Sequence, residues 1–269
     1  MPATAPRPLA VITGASEGIG RDLATCYALA NFDLVLIARR EPLLREVAAS
    51  LFAAHGARCT VLPADLSQAA ECDRVLAALE GERARLFALV NNAGFGTHGW
   101  FHEIAVERQR ALIEVNISAL THLTRGVLPW LRANGRGHVM NVASVASFQP
   151  GPLMATYYAS KAYVLSLSEA LHNECLGTGV TVTAVCPGPT VTGFKVAAGL
   201  AADSAPGGPP PMLSADVADL AFRGTMAGKR VVITGARNVL AAALGRYFPR
   251  AWSAAMIRRI QLARMTPRA

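Results

Sequence analysis

Tyr157 and Lys161 stand four residues apart, so on a helix they share one face and lie side by side. A phenol titrates near pH 10 and is a poor proton donor or acceptor at neutrality unless a neighbouring positive charge stabilises the phenolate. A lysine ammonium one turn along supplies such a charge. The same spacing also describes an ordinary solvated surface pair. Chemistry is favoured here because the chain writes its cations 23 times as Arg and only three times as Lys, at Lys161, Lys195 and Lys229. Ser144, thirteen residues before Tyr157, follows an apolar run, and its hydroxyl is suited to hold a carbonyl oxygen while the phenol transfers a proton. Ser147 is the alternative in the same loop. Asn116 lies in an apolar stretch spanning 112–131, where Asn is a mediocre helix former. It either satisfies a nearby backbone group or anchors a water chain, and the sequence by itself favours the first.

A second set of residues is suited to phosphate. An apolar run over 9–13 leads into Thr13-Gly14-Ala15-Ser16-Glu17-Gly18-Ile19-Gly20, and a helical pattern follows. Glycines in a first strand-to-helix turn let backbone approach a pyrophosphate, which then rests on the helix N-terminus. The spacing is GxxxGxG, not the GxGxxG of the usual dinucleotide fingerprint. Residues 14–18 also match GxSxG, the nucleophile elbow of serine hydrolases. The hydrolase order of Ser, acid, His is missing, because no histidine follows His172. Ile233-Thr234-Gly235-Ala236 repeats the start of the loop but lacks its later glycines, and reads as a strand end.

After the second strand the chain reads Ile37-Ala38-Arg39-Arg40-Glu41. An acid there would bind the ribose 2′-hydroxyl of NAD, whereas Arg suits the 2′-phosphate of NADP. Arg39 is the expected phosphate ligand and Arg40 a solvated turn residue. Glu17, nearby in the glycine loop, either repels that phosphate or orients Arg39.

The elements that must position these residues follow from periodicity. Apolar runs at 9–13, 34–38, 58–63, 86–91, 138–142 and 180–186 read as buried strands, alternating with helical patterns. That alternation predicts an α/β fold: a single Rossmann-type, doubly wound parallel sheet with helices on both faces. Another strand is expected at 230–234, after a loop over 188–213 whose middle is rich in Gly, Pro and Ala. The expected organisation is a loose tail over 1–8, the sheet domain over 9–248 and a basic helix over 249–269.

The chain has 269 residues, with 26 Lys and Arg against 18 Asp and Glu. Its excess charge is local: residues 220–269 hold ten Lys or Arg and no acid, so the total does not argue for nucleic-acid binding. Five cysteines without a CxxC pair suit a reducing compartment and argue against a metal site. With no apolar run long enough for a signal peptide or a membrane span, the expected location is cytoplasmic. Pro249 is placed to open a helix in which Trp252, Ala255, Met256, Ile260 and Ala263 form an apolar stripe beside Arg250, Arg258 and Arg264. Such a stripe packs on the core or on a second subunit, the favoured expectation. The alternative is a helix lying weakly and salt-sensitively on an anionic membrane.

Together, Thr13–Gly20, Asn91-Asn92-Ala93-Gly94, Asn116, Ser144, Tyr157-Tyr158-Ala159-Ser160-Lys161 and Pro187-Gly188 followed by Thr192 resemble the short-chain dehydrogenase/reductase family. The nearest branch by motif resembles bacterial 3-oxoacyl reductases and hydroxysteroid dehydrogenases. The resemblance covers about residues 9–195 and implies an oxidoreductase with Tyr157 as acid/base. Lys161 would be its pKa-lowering and ribose-binding partner, Ser144 the substrate-polarising hydroxyl and Asn116 the proton-relay anchor. It further implies a cofactor cradle of Gly14, Ser16, Gly18, Ile19 and Gly20, with Asp65 at the adenine, Asn92 and Ala93 at the adenosine side and Thr192 at the nicotinamide amide. Arg39 resembles the NADP(H)-using members, from which Glu17 departs. The implied partners are a small, apolar carbonyl or alcohol substrate and a second or further copies of the chain as dimer or tetramer. The rival from another class is a protein that senses NADPH without turnover.

Overall fold

The computed structural model describes residues 6–194, 198, 211–247 and 249–265; of the expected substrate loop, Leu200 lies outside them. Seven parallel strands form the central sheet: β1 (Leu9–Thr13), β2 (Asp33–Ala38), β3 (Cys59–Pro63), β4 (Leu86–Asn91), β5 (Gly137–Val142), β6 (Val180–Cys186) and, after the short β7 (Thr190–Val191) and β8 (Met212–Leu213), β9 (Val231–Ile233). Their order is β3-β2-β1-β4-β5-β6-β9. The seven strands of this sheet lie within a residue of their expected bounds; in β1, β2, β4, β5 and β6 the apolar runs are almost wholly buried, which leaves few alternatives.

The helices are α1 (Gly18–Leu29), α2 (Glu41–His55), α3 (Ala69–Leu79), α4 (Val106–Ile113), α5 (Leu120–Ala133), α6 (Ala155–Glu174), α7 (Ser214–Met226), α8 (Ala236–Tyr247) and α9 (Arg250–Leu262). Alternate strand residues supply the two core layers. Ala10, Ile12, Leu34 and Leu36 pack with Leu23 and Tyr27 of α1. Leu9, Val11, Val35 and Ile37 pack on the other side with Leu123, Val127 and Leu131 of α5. Tyr27 also meets Phe222 of α7 edge-on, with ring centroids 4.9 Å apart. Strand order reverses between β1 and β4, and in such sheets ligands bind beyond the carboxyl ends at that switch point.

Two expectations need correction. The N-terminal tail is not loose where it is described: Arg7 donates to the Gly56 carbonyl at 3.0 Å, and the Pro8 carbonyl accepts from Asp33 N at 2.9 Å. The apolar stripe of the C-terminal helix does not pack on the chain's own core. Ser253, Ile257 and Gln261 turn inward on α9, while Trp252 and Met256 are 70% and 55% exposed. On this side the Gln261 carbonyl lies 3.2 Å from His98 Nε2, and Arg258 sits over the Trp100 ring at 5.7 Å. Among the described residues no helix is long and apolar enough to cross a membrane.

Candidate active site

The carboxyl ends of β1, β4, β5 and β6 converge on one crevice. At β1, Gly14 and Gly18 adopt φ of +66° and +55°, backbone that favours glycine. A Cβ on Gly20 would stand 2.1 Å from the Gly14 carbonyl oxygen, so the loop folds back on itself only without side chains. Ile19 packs on the core. Asn92 donates from Nδ2 to the Thr13 and Gly14 carbonyls at 3.0 and 3.1 Å. Asn92 N and Ala93 N both donate to Thr13 Oγ1 at 3.0 Å. The residues expected at an adenosine therefore also brace the cradle that would hold its phosphates. Asp65, after β3, accepts at Oδ1 from the Ser67 amide and hydroxyl at 3.1 and 2.9 Å. Thr192 closes over the loop from β7, its Cγ2 3.0 Å from where a Gly18 Cβ would be. This bare, braced backbone at a helix N-terminus fits a dinucleotide pyrophosphate.

Ser16, the residue of the hydrolase motif, has a guanidinium rather than an imidazole as its neighbour: Arg40 Nη2 donates to its Oγ at 3.4 Å. The same nitrogen pairs with Glu17 Oε1 at 2.7 Å. Arg40, not Arg39, thus reaches the glycine loop. Arg39 is exposed.

At β5 and α6 the expected proton-transfer residues come together. Ser144 precedes the short turn Val145–Phe148; its Oγ accepts from the Ala146 amide at 3.1 Å and faces the Pro187 carbonyl at 3.4 Å. Burial pushes the Tyr157 phenol up to about 12, while a hydrogen bond with Ser144 pulls the other way. The expected lowering of that pKa by Lys161 does not emerge. The Lys161 ammonium donates to the Val142 carbonyl at 2.7 Å and lies 6.0 Å from the Tyr157 ring centroid. Burial brings Lys161 itself down to about 8. Phe194 covers the tyrosine, ring centroids 5.2 Å apart. It also crowds Gly96, where a Cβ would stand 2.8 Å from Cζ.

Asn116 lies in a π-helical turn, Glu114–Ala119, between α4 and α5. Such one-turn bulges recur at functional sites. Its Oδ1 accepts from Phe95 N at 3.1 Å, and its Nδ2 donates to the Phe95 carbonyl and to Ser160 Oγ, both at 3.0 Å. Asn116 therefore fixes the loop after β4, which agrees with the backbone-satisfying expectation. Ser160 had no role in the sequence reading; its hydroxyl, donating to the Tyr157 carbonyl at 2.7 Å, links Asn116 to the tyrosine's helix. Ser147 proves structural, its hydroxyl donating to the Lys161 carbonyl at 2.7 Å.

Known proteins share this fold. Residues 8–201 match the family model described as short chain dehydrogenase. The 11-beta-hydroxysteroid dehydrogenase A of Sesamum indicum is 38% identical over 179 residues, covering 66% of this chain and 51% of that protein, about half its length. A short-chain dehydrogenase from Sphingobium yanoikuyae, solved in complex with NADPH, is similar with TM-score 0.80 and 34% identity, over 93% of this chain and 99% of that one. A short-chain dehydrogenase/reductase from Burkholderia phymatum, solved in complex with NAD, gives TM-score 0.78 and 27% identity, over 89% and 92% of the two chains.

Proposed function

The chain belongs to the short-chain dehydrogenase family, and we propose that it interconverts a ketone and a secondary alcohol with NADP(H) as the preferred cofactor. The observation that carries this reading is the half-buried Tyr157 under Phe194, ring centroids 5.2 Å apart, with the Lys161 ammonium of the same helix 6.0 Å from its ring and Ser144 just past the end of β5. Bound nicotinamide supplies or accepts the hydride, chemistry that no side chain here provides. Gly14, Ser16, Gly18, Ile19 and Gly20 hold the pyrophosphate side, Asp65, Asn92 and Ala93 the adenosine side, and Thr192 the nicotinamide amide. Lys161 holds the ribose. Ser144 and Tyr157 hydrogen-bond the substrate carbonyl, and Tyr157, protonated at neutral pH, delivers the proton in reduction. Asn116 and Ser160 keep the β4 loop and α6 in register for that step.

Relatives of both cofactor types leave the nucleotide to this chain's own residues. Two guanidiniums, Arg39 and Arg40, follow a strand end without an acid, which suits a 2′-phosphate. Phe194 and Met154 beside Gly96 suit an apolar substrate. The experiment is NADPH oxidation followed by absorbance across 3-oxoacyl thioesters, steroids and simple ketones. Steady oxidation with at least one is expected; tight binding without oxidation across the panel would favour a nucleotide sensor.

The partner reading is a homodimer or homotetramer, with reversible contact between α9 and anionic membrane. Trp252, Met256 and Ile260 face outward in a segment without acids, a combination that suits an interfacial helix. Sedimentation with anionic vesicles at low salt should carry the protein down, and neutral vesicles or high salt should not. Equal recovery with both lipids would leave the face to a second subunit.

A further inference from the structure

Four buried polar side chains carry hydrogen bonds across the sheet from α5 to α6. Asn91 of β4 and Asn141 of β5 are register partners. Asn91 Nδ2 donates to Thr124 Oγ1 of α5 at 2.9 Å and to Asn141 Oδ1 at 2.8 Å. Asn141 Nδ2 donates to Ser168 Oγ of α6 at 2.9 Å, and the Ser168 hydroxyl donates to the Val164 carbonyl at 2.6 Å. None of the four is more than 3% exposed. As a source of stability this ladder is a poor choice. Asn91 Oδ1 is buried without a partner among the described residues, and a polar network with an open member is worse than apolar packing. What such a network supplies instead is a defined register, which apolar contacts leave loose.

The register in question is that of α6 on β5. Lys161 and Ser168 are seven residues apart, two helical turns, and share one face of α6. Asn141 directly precedes Val142, whose carbonyl accepts from the Lys161 ammonium at 2.7 Å. Between these two contacts α6 meets the sheet through Val164 and Leu165, which pack with Ala143, Ala184 and Cys186, and packing of that kind has no direction. We propose that Asn141 and Ser168 are positioning residues for Lys161: their hydrogen bond pins α6 at the end of β5, so that the ammonium stays on the Val142 carbonyl and faces the ribose site. The proposal rests on the dehydrogenase reading and deepens it. Released from this clasp, the helix shifts by fractions of an ångström, and a misplacement of about 1 Å costs on the order of 100-fold in rate.

The test combines Asn141→Leu with Ser168→Ala, which removes both partners of one hydrogen bond and leaves Asn91 its bond to Thr124. Replacing both partners by apolar groups is nearly neutral for stability, so the double variant should melt within a few degrees of the wild type. Well below that temperature, kcat on a panel ketone should fall roughly tenfold to a hundredfold, with KM for the ketone within about twofold. Fluorescence titration should show NADPH bound up to roughly tenfold more weakly, a partial loss of one hydrogen bond from a charged donor. In a Lys161→Met background the same two changes should leave NADPH affinity as it was, the coupling expected of residues that act through Lys161. Wild-type kcat and NADPH affinity in the double variant would overturn the positioning role. So would an equal loss of affinity with and without Lys161, or a melting point far below the wild type, which would make the ladder a device for stability. Wild-type protein that neither binds NADPH nor turns over any ketone would overturn the dehydrogenase reading itself, and this proposal with it.

Discussion

Replacing Tyr157 with Phe should lower turnover by roughly 10²–10⁴, the usual contribution of a positioned general acid, while leaving NADPH affinity nearly intact. The substitution removes one oxygen and keeps the ring. Contacts of that ring with Tyr158 and Phe194, at centroid distances of 6.0 and 5.2 Å, survive, so the fold and the cover over the site should be retained. What is lost is the hydroxyl, whose pKa burial raises to about 12. Steady-state turnover on a panel substrate, beside a nucleotide titration, separates the two effects. Wild-type turnover in Tyr157→Phe would remove the phenol from the mechanism.

Lys161→Met should inactivate the enzyme and yet make it more stable at neutral pH. Lys161 is 5% exposed, and burial disfavours its charged form, bringing it from 10.5 to about 8. The unfolded chain therefore binds this proton more tightly than the folded one. Below pH 8 both states are protonated and the folded state carries the full cost of the buried charge. Between pH 8 and about 10.5 the folded state releases its proton first, and stability rises with pH. The shift sets an upper bound of about 3 kcal/mol, and losing the hydrogen bond to the Val142 carbonyl offsets about 1 kcal/mol of it. Thermal denaturation at pH 7 should show the variant melting several degrees above the wild type. That advantage should fade as pH rises through the 8–10.5 window, and turnover should fall at least 100-fold. A variant less stable at pH 7 but still active would make Lys161 a structural residue.

The sheet was legible because doubly covered parallel strands are apolar on both faces, and β4 and β6 ran to the residue. The site was legible in part because glycines, an i, i+4 Tyr–Lys pair and a serine after a strand are tied to chemistry by their types. The roles of Ser160 and Ser147 were not, since each depends on a partner brought close by tertiary packing: Asn116 for one, the Lys161 carbonyl for the other. The π-helical turn around Asn116 leaves the apolar spacing of 112–131 almost unchanged, so periodicity passes over it. Arg39 and Arg40 are adjacent guanidiniums whose directions no spacing encodes; in the fold Arg40 is the one that meets Ser16 and Glu17. In α9 the hydrophobic stripe faces away from the chain's own core. The helix meets the rest of the chain through the Gln261 carbonyl on His98 and Arg258 over Trp100, contacts that no count of apolar residues contains.

Both variants bear on how the proton moves; the hydride itself is traced by isotope. The most direct measurement uses NADPH deuterated at the transferable position of nicotinamide C4, with any ketone that the panel shows to be turned over. The product alcohol, analysed by mass spectrometry and NMR, should carry one deuterium on the carbinol carbon, and Tyr157→Phe should form that labelled product at the reduced rate. Product without deuterium at that carbon, or nucleotide consumed with no alcohol formed, would contradict hydride transfer at this site.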